Sequence, residues 1–321
     1  MRPSKRVLLC AGLALACLCG CAPEADTSTR PSVALVVKST QTEFWRAVFA
    51  GAEAAAVEYN LDLTIAGPET EEDYKTQNQL LADAVENGTD AIVFSAIDFE
   101  KNADAIDAAA QQNIKIVAID SNVDSQSVST YIGTDNYAAG QMAAYATLER
   151  VSGPLYVGIV NYDVGTANGQ ERERGAVDAF TQSGRAQITA VVNTLVDADQ
   201  AQADTAALLS EHPEINVLLA LNEPVSVGAA RAVQMLNRDK DVFFLGFDSN
   251  LVTIDGLQDG SVDALIVQNP YAMGYLGVES AYQLLSGHGN ALEATVDTST
   301  QVVDQSNLFS MDSQKALFAF G

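Results

Sequence analysis

The sequence predicts an α/β protein built as two Rossmann-like lobes, each with a parallel sheet. Three observations predict it. From residue 33 onward, short β-branched runs alternate with longer amphipathic stretches, the pattern of βαβ units. Gly153-Pro154 breaks the alternation near its middle, after which the same order of elements restarts. Roughly 290 residues beyond an N-terminal leader suffice for two domains of ordinary size.

The elements follow in order. Strand-like runs at 33–37, 61–66, 91–95, 115–119 and 130–133 alternate with helix-like segments at about 43–59, 71–87 and 99–112, and a further helix-like segment at 137–151 closes the first half. Beyond the break, strand-like runs lie at 155–160, 188–193, 217–221, 242–246 and 264–267. The second half therefore repeats the first. The tail from Ser306, with Leu308-Phe309 and Leu317-Phe318, reads as a closing segment packed on one lobe, and nothing in its residues assigns it a function.

Arg2, Lys5 and Arg6 precede an apolar run over 7–18 that ends at Leu18-Cys19-Gly20-Cys21, the layout of a secretory signal at 1–20. The run is shorter than the roughly 20 residues a membrane-spanning helix needs. Its end resembles the lipobox of bacterial lipoproteins. That resemblance implies lipidation at Cys21, with 21–32, polar and Pro-bearing, as a tether to the membrane. All four Cys (10, 17, 19 and 21) lie in this leader, so the body has no thiol for a disulfide, a redox pair or a metal site. With 17 basic and 42 acidic residues, a formal charge of −25, the chain repels phosphate backbones. Nucleic-acid binding is not expected.

In open α/β sheets, ligands sit beyond the carboxyl ends of the strands. The residues there are Ser39-Thr40 and onward to Phe44-Trp45, Asp98, Asp120-Ser121-Asn122, Asn161-Tyr162-Asp163, Asn222-Glu223, Asp248-Ser249-Asn250 and Gln268-Asn269. Any one of them alone could simply cap the next helix. Taken together they describe a cleft lined with groups that hydrogen-bond hydroxyls.

Order and spacing across the body resemble the type I periplasmic sugar-binding proteins, with the ribose-binding pattern nearest. The likeness rests on Ala34-Leu35-Val36-Val37 leading to Phe44-Trp45, Ala118-Ile119-Asp120, Gly133-Thr134-Asp135-Asn136, Arg172-Glu173-Arg174-Gly175, Ala220-Leu221-Asn222-Glu223, Gly246-Phe247-Asp248 and Val267-Gln268-Asn269-Pro270. The resemblance implies a ligand-binding set of Thr42, Phe44, Trp45, Asp120, Ser121, Arg172, Asn222, Asp248 and Gln268. Phe44 and Trp45 would sandwich a sugar ring, while the carboxylates and Arg172 would hold vicinal hydroxyls. It also implies a three-segment hinge near 134–135, 268–269 and 297–299. The lobes would then be 33–134 plus 270–297 and 135–269 plus 298–321. Departures point away from ribose itself. Ser121 and Asn122 stand where Arg usually follows the Asp, Thr42 and Glu43 replace Asn-Pro, and 195–199 lacks the aromatic that the second lobe usually lends.

The expected function is capture of a small polar ligand, most often a monosaccharide, by a monomeric periplasmic or cell-surface lipoprotein that delivers it to the membrane permease of an ABC transporter. Two alternatives share the scaffold: a receptor that presents its ligand to a membrane sensor kinase or chemoreceptor, and a binder of nucleosides or a furanose-like signal. No nucleophile elbow, phosphate-binding loop or Cys-x-x-Cys occurs, and both histidines, His212 and His288, fall in loop-like sequence. No catalytic residue, cofactor or metal is expected.

Overall fold

Successive residues of the first strand point to opposite faces, and both faces are covered. In β1 (Ser32–Val36), Val33 and Leu35 pack with Trp45, Val48 and Val278, while Ala34 and Val36 pack with Leu81, Ile92 and Phe94. A strand buried on both sides belongs to a parallel sheet flanked by helices. The chain supplies these in turn: α1 (Glu43–Glu58), β2 (Asp62–Ala66), α2 (Tyr74–Glu86), β3 (Ala91–Phe94), α3 (Ala103–Ala110), β4 (Lys115–Ile119) and β5 (Val128–Gly133). This computed structural model describes residues 30–162 and 164–318. The expected signal at 1–20, Cys21, the tether up to residue 29, and Asp163 lie outside the described residues.

The chain then crosses over. α4 (Asn136–Arg150) packs on the second lobe, which continues as β6 (Leu155–Asn161), α5 (Ala167–Ser183), β7 (Ala186–Asn193), α6 (Ala198–Glu211), β8 (Val217–Ala220), α7 (Glu223–Met235), β9 (Phe243–Phe247), α8 (Leu251–Asp259) and β10 (Ala264–Val267). α9 (Pro270–Leu285) returns to the first lobe, where β11 (Thr295–Asp297) joins the sheet edge. β12 (Gln301–Asp304) and α10 (Met311–Leu317) end on the second lobe. Three passages therefore connect the sheets, at 134–135, 268–269 and 298–300.

The sheets run β2-β1-β3-β4-β5-β11 and β7-β6-β8-β9-β10-β12, the same order twice. Strand order reverses at β1/β3 and again at β6/β8, which places a ligand crevice at the carboxyl end of each pair. Both sheets are parallel as expected, except that the edge strand β12 pairs antiparallel with β10. The short link from β11 delivers the chain to the second sheet at its cleft end. β12 must therefore run away from the cleft, while β10 beside it runs toward it.

The helix expected from residue 71 begins at Tyr74, because Asp73 caps it by accepting the Thr76 N–H at 2.9 Å. Glu71 and Glu72 are thereby released from the helix. The segment expected over 99–112 narrows to α3, and the Asn102 side chain before it accepts the Asp98 N–H at 2.8 Å.

Both lobes use one device to fix the helices that cross over. A Cβ on Gly51 of α1 would lie 2.0 Å from the Tyr271 carbonyl oxygen of α9, and one on Gly274 of α9 would lie 1.9 Å from that of Val48. In the second lobe, a Cβ on Gly140 of α4 would meet the Arg172 carbonyl oxygen of α5 at 2.0 Å, and one on Gly175 would meet that of Tyr137 at 2.1 Å. Backbone touches backbone, so no side chain can yield. Gly140→Ala is expected to lower stability by roughly 1–3 kcal/mol through overpacking. Because the displaced group is the main chain of Arg172, the variant should also weaken ligand binding. A urea midpoint equal to the wild type would contradict this.

Candidate ligand-binding site

The carboxyl ends of the two sheets meet at one cavity, lined from both lobes. Lys38, Thr42, Phe44, Trp45, Glu71 and Asp120 line it from the first lobe, and Tyr162, Asn168, Arg172, Asn222, Glu223 and Asp248 from the second. Gln268, at the second passage between lobes, closes the ring. Of the nine residues expected from sequence, all but Ser121 line this space.

Asp120 and Asp248 occupy matching positions, directly after β4 and β9. Both adopt the left-handed conformation, with φ of 55° and 66°, which is uncommon for a residue with a Cβ. Each N–H donates to the neighbouring strand, Asp120 to Ile132 at 3.0 Å and Asp248 to Ile266 at 2.8 Å. This turn aims each carboxylate at the gap and sends the following residue elsewhere. Ser121 is therefore a correction to the expected set: it is buried, its Oγ has no partner among the described residues, and it is not among the residues that line the cavity. Asp98, another strand-end acid, is also spent locally, accepting the N–H groups of Glu100 and Lys101.

The two carboxylates differ in what they have left to offer. Asp120 Oδ2 accepts Ser95 Oγ at 2.9 Å and pairs with Lys38 Nζ at 3.3 Å, and its Oδ1 accepts Asn168 Nδ2 of the other lobe at 3.2 Å. Asp248 Oδ1 accepts Gln268 Nε2 at 2.6 Å, and among the described residues no donor reaches Oδ2. Burial raises the Asp248 carboxyl above its ordinary value, against the opposing pull of Arg172.

Arg172 is almost fully buried. Its Nε donates to Asn136 Oδ1 at 2.9 Å, Nη1 donates to the Leu221 carbonyl at 2.8 Å, and the guanidinium lies over the Phe247 ring at 4.8 Å. Nη2 is buried with no partner among the described residues. A buried donor left this way costs roughly 1–3 kcal/mol, which a ligand oxygen would recover. Burial opposes the guanidinium charge, yet Tyr162, Asp248 and Asp120 around it hold the group above its usual value.

Lys38 fills the role of the cation that does not follow Asp120. It follows β1, is buried, and pairs with Glu71 at 3.2 Å as well as with Asp120. Burial alone would lower its ammonium, but the two carboxylates outweigh burial and raise it. Glu71 also accepts the Trp45 Nε1–H at 2.8 Å, so one acid positions the lysine and the indole together.

The aromatic arrangement differs from a sandwich between Phe44 and Trp45. Their rings meet edge to face, centroids 5.1 Å apart at 87°, which forms a corner with no slot between them. Tyr162 supplies a second-lobe aromatic in place of the one absent at 195–199. Lys38 Nζ lies 5.9 Å from the Trp45 ring and 5.7 Å from the Tyr162 ring. The phenol donates to Asn168 Oδ1 at 2.9 Å, and burial pushes it up to about 12.

Thr42 and Asn222 line the cavity while capping helices. Thr42 Oγ1 accepts the Trp45 N–H at 3.4 Å and Asn222 Oδ1 accepts the Val225 N–H at 3.0 Å, so for Asn222 the Nδ2 donor is what remains for a ligand. Glu223, the next residue, reaches across the cleft. Its carboxylate accepts the Phe44 N–H at 2.9 Å and the Glu43 N–H at 3.3 Å, at the start of α1, and accepts Asn250 Nδ2 at 2.8 Å on its own lobe. Burial outweighs these bonds and lifts its carboxyl to about 7, with Asp248 adding repulsion. Other bonds between lobes run from Val196 N–H to Glu72 Oε1 at 2.7 Å and from Phe99 N–H to the Gly165 carbonyl at 2.9 Å.

Sequence reasoning does not point to Lys38, Glu71 or Asn168, and it names Tyr162 and Glu223 only as strand-end polar groups. A lysine directly after a β-branched run, in a chain so poor in bases, was the one available signal.

Residues 33–289 match the periplasmic binding protein domain. A D-ribose/D-allose-binding protein of Pseudomonas aeruginosa is 28% identical over 94% of this chain and 98% of its own length. A ribose import binding protein of Bacillus subtilis is 24% identical over 94% of this chain and 99% of its own. Among solved structures, a carbohydrate transporter solute-binding protein from Agrobacterium radiobacter in complex with D-arabinose superposes with a TM-score of 0.87 at 27% identity, covering 90% of this chain and 99% of that one. An ABC transporter solute-binding protein from Agrobacterium vitis with bound D-fucose gives 0.86 at 27% identity, covering 89% and 99%.

Proposed function

We propose, from the premise that this chain belongs to the periplasmic binding protein domain family, that it captures a monosaccharide between its lobes and delivers it to the permease of an ABC transporter. The observation that carries this is the free pair on the second lobe, Arg172 Nη2 as donor and Asp248 Oδ2 as acceptor, inside a cavity walled by Phe44, Trp45 and Tyr162. A sugar offers hydroxyls to the first two and a C–H face to the rings. A relative named for ribose and allose binding, and neighbouring structures that hold D-arabinose and D-fucose, support the ligand class. The proposal includes lobes divided at 33–134 plus 270–297 and 135–269 plus 298–321, a monomeric lipoprotein anchored through Cys21 after removal of 1–20, and binding without chemistry.

The test is a thermal-shift screen of D-ribose, D-allose, D-arabinose, D-fucose and nucleosides. A ligand at a hundred times its dissociation constant adds about 2.7 kcal/mol to stability. One or more sugars should raise the melting temperature. Shifts with nucleosides alone would overturn the ligand class.

Glu223 gives the binding a pH dependence. Opening the cleft would expose its carboxyl and return it toward its ordinary value, so the closed form holds the proton more tightly. Closure is then favoured at low pH, and the advantage is lost as pH rises toward about 7. Sugar affinity should fall across that window and level off above it, by on the order of tenfold for each unit by which the two forms differ. Glu223→Gln should flatten the profile, and calorimetry at three pH values checks it. An equally steep profile in the variant would assign the proton to another group, with Asp248 the nearest.

A further inference from the structure

The free donor and the free acceptor of the second lobe are joined behind the cavity by one chain of hydrogen bonds. Asp248 Oδ1 accepts Gln268 Nε2 at 2.6 Å, and Gln268 Oε1 accepts the Thr134 hydroxyl at 2.8 Å. The Thr134 carbonyl accepts Asn136 Nδ2 at 3.0 Å, and Asn136 Oδ1 accepts Arg172 Nε at 2.9 Å. All five residues are buried, and neither Thr134 nor Asn136 lines the cavity. Thr134 stands at the middle of the chain, in the first passage between the lobes, with Gln268 in the second.

The chemistry of the two ends fixes the direction of every bond. A guanidinium only donates, so Asn136 must turn Oδ1 to Arg172 and keep Nδ2 for the Thr134 carbonyl. A carboxylate only accepts, so Gln268 must turn Nε2 to Asp248 and Oε1 to Thr134. Among the described residues, Oε1 has the Thr134 hydroxyl as its one donor. Without that hydroxyl Oε1 is buried and unsatisfied, and a flip of the amide does not help, because it sets Oε1 against the carboxylate. Gln268 is then released from its place, and Asp248 loses the partner that occupies Oδ1 and so reserves Oδ2.

We infer that Thr134 is a positioning residue for sugar binding: its hydroxyl fixes the Gln268 amide, which holds Asp248 with one oxygen free for the ligand. The inference rests on the sugar reading above and adds to it a residue that touches no ligand. The Arg172 end of the chain uses the Thr134 main chain, so a change of side chain at 134 acts on the acceptor end.

The experiment is calorimetry on the full protein with the tightest-binding monosaccharide of the screen. Thr134→Val keeps the shape and removes the hydroxyl, and it should weaken binding about five- to tenfold, the loss of one buried hydrogen bond. Thr134→Ser keeps the hydroxyl and should bind within about twofold of wild type. Added to Asp248→Asn, in which the reserved oxygen is already gone, Thr134→Val should cost less than about twofold more, because members of one hydrogen-bond network do not act additively. The same loss from Thr134→Val in both backgrounds would reveal a general packing effect and overturn the inference. So would wild-type affinity in Thr134→Val, or a serine variant as weak as the valine one, and each of these outcomes leaves the sugar reading intact. If the wild type binds no monosaccharide, the sugar reading falls and the role of Thr134 falls with it.

Discussion

An Asp248→Asn variant is expected to lose sugar binding by about 2 kcal/mol or more, roughly thirtyfold, with little change in the stability of the free protein. The substitution is chosen for the backbone. Asp248 sits at a φ of 66°, where Asn is tolerated and Ala is strained, so alanine would confuse a fold effect with a binding effect. Asn keeps an Oδ1 to accept Gln268 Nε2 and replaces the free carboxylate oxygen with an amide that cannot accept a hydroxyl proton. The same reasoning favours Asn222→Asp over Asn222→Ala, since aspartate preserves the cap on α7. Calorimetry on the variant, beside a urea melt without ligand, separates the two effects. Affinity equal to wild type would place the ligand away from the second lobe's strand ends.

Lys38→Met is expected to destabilise the protein itself, by about 3–5 kcal/mol. The lysine is buried between Glu71 and Asp120, and its removal leaves two buried carboxylates without their counter-charge. Glu71→Gln added to Lys38→Met should restore part of the loss, because the neutral amide no longer needs the ammonium and can still accept the Trp45 Nε1–H. A single variant as stable as wild type in urea would mean that the triad is solvated, and the cavity's electrostatics would need redrawing.

The two-lobe architecture was legible because the central strands are buried on both faces and so stand out as unbroken β-branched runs between polar turns. β1 and β3 show it, with alternate residues feeding two separate cores. Most of the cavity lining was legible for a related reason: residues after strands collect at one end of each sheet. What escaped depends on where a local boundary falls. Read as part of a helix starting at 71, Glu71 belongs on a solvent face, but the cap at Asp73 leaves it in a loop that reaches Lys38 and Trp45. Ser121 failed in the opposite direction, since neighbours in sequence diverge at a left-handed residue, and nothing in Asp120-Ser121 marks the turn. The antiparallel β12 was hidden because its direction follows from where the chain comes from rather than from its own residues.

The exchange of helices between lobes has a consequence for biosynthesis. The half made first cannot finish first: its sheet lacks the edge strand β11, and α1 lacks its backbone-close partner α9, until the whole of the other half through β10 has been made. Contacts of such long sequence separation are slow to form and leave apolar surface uncovered while they wait. An emerging chain therefore carries the bare Trp45 and Val48 side of its opening segment for most of its synthesis, and nascent-chain proteolysis should find that segment the last to become protected.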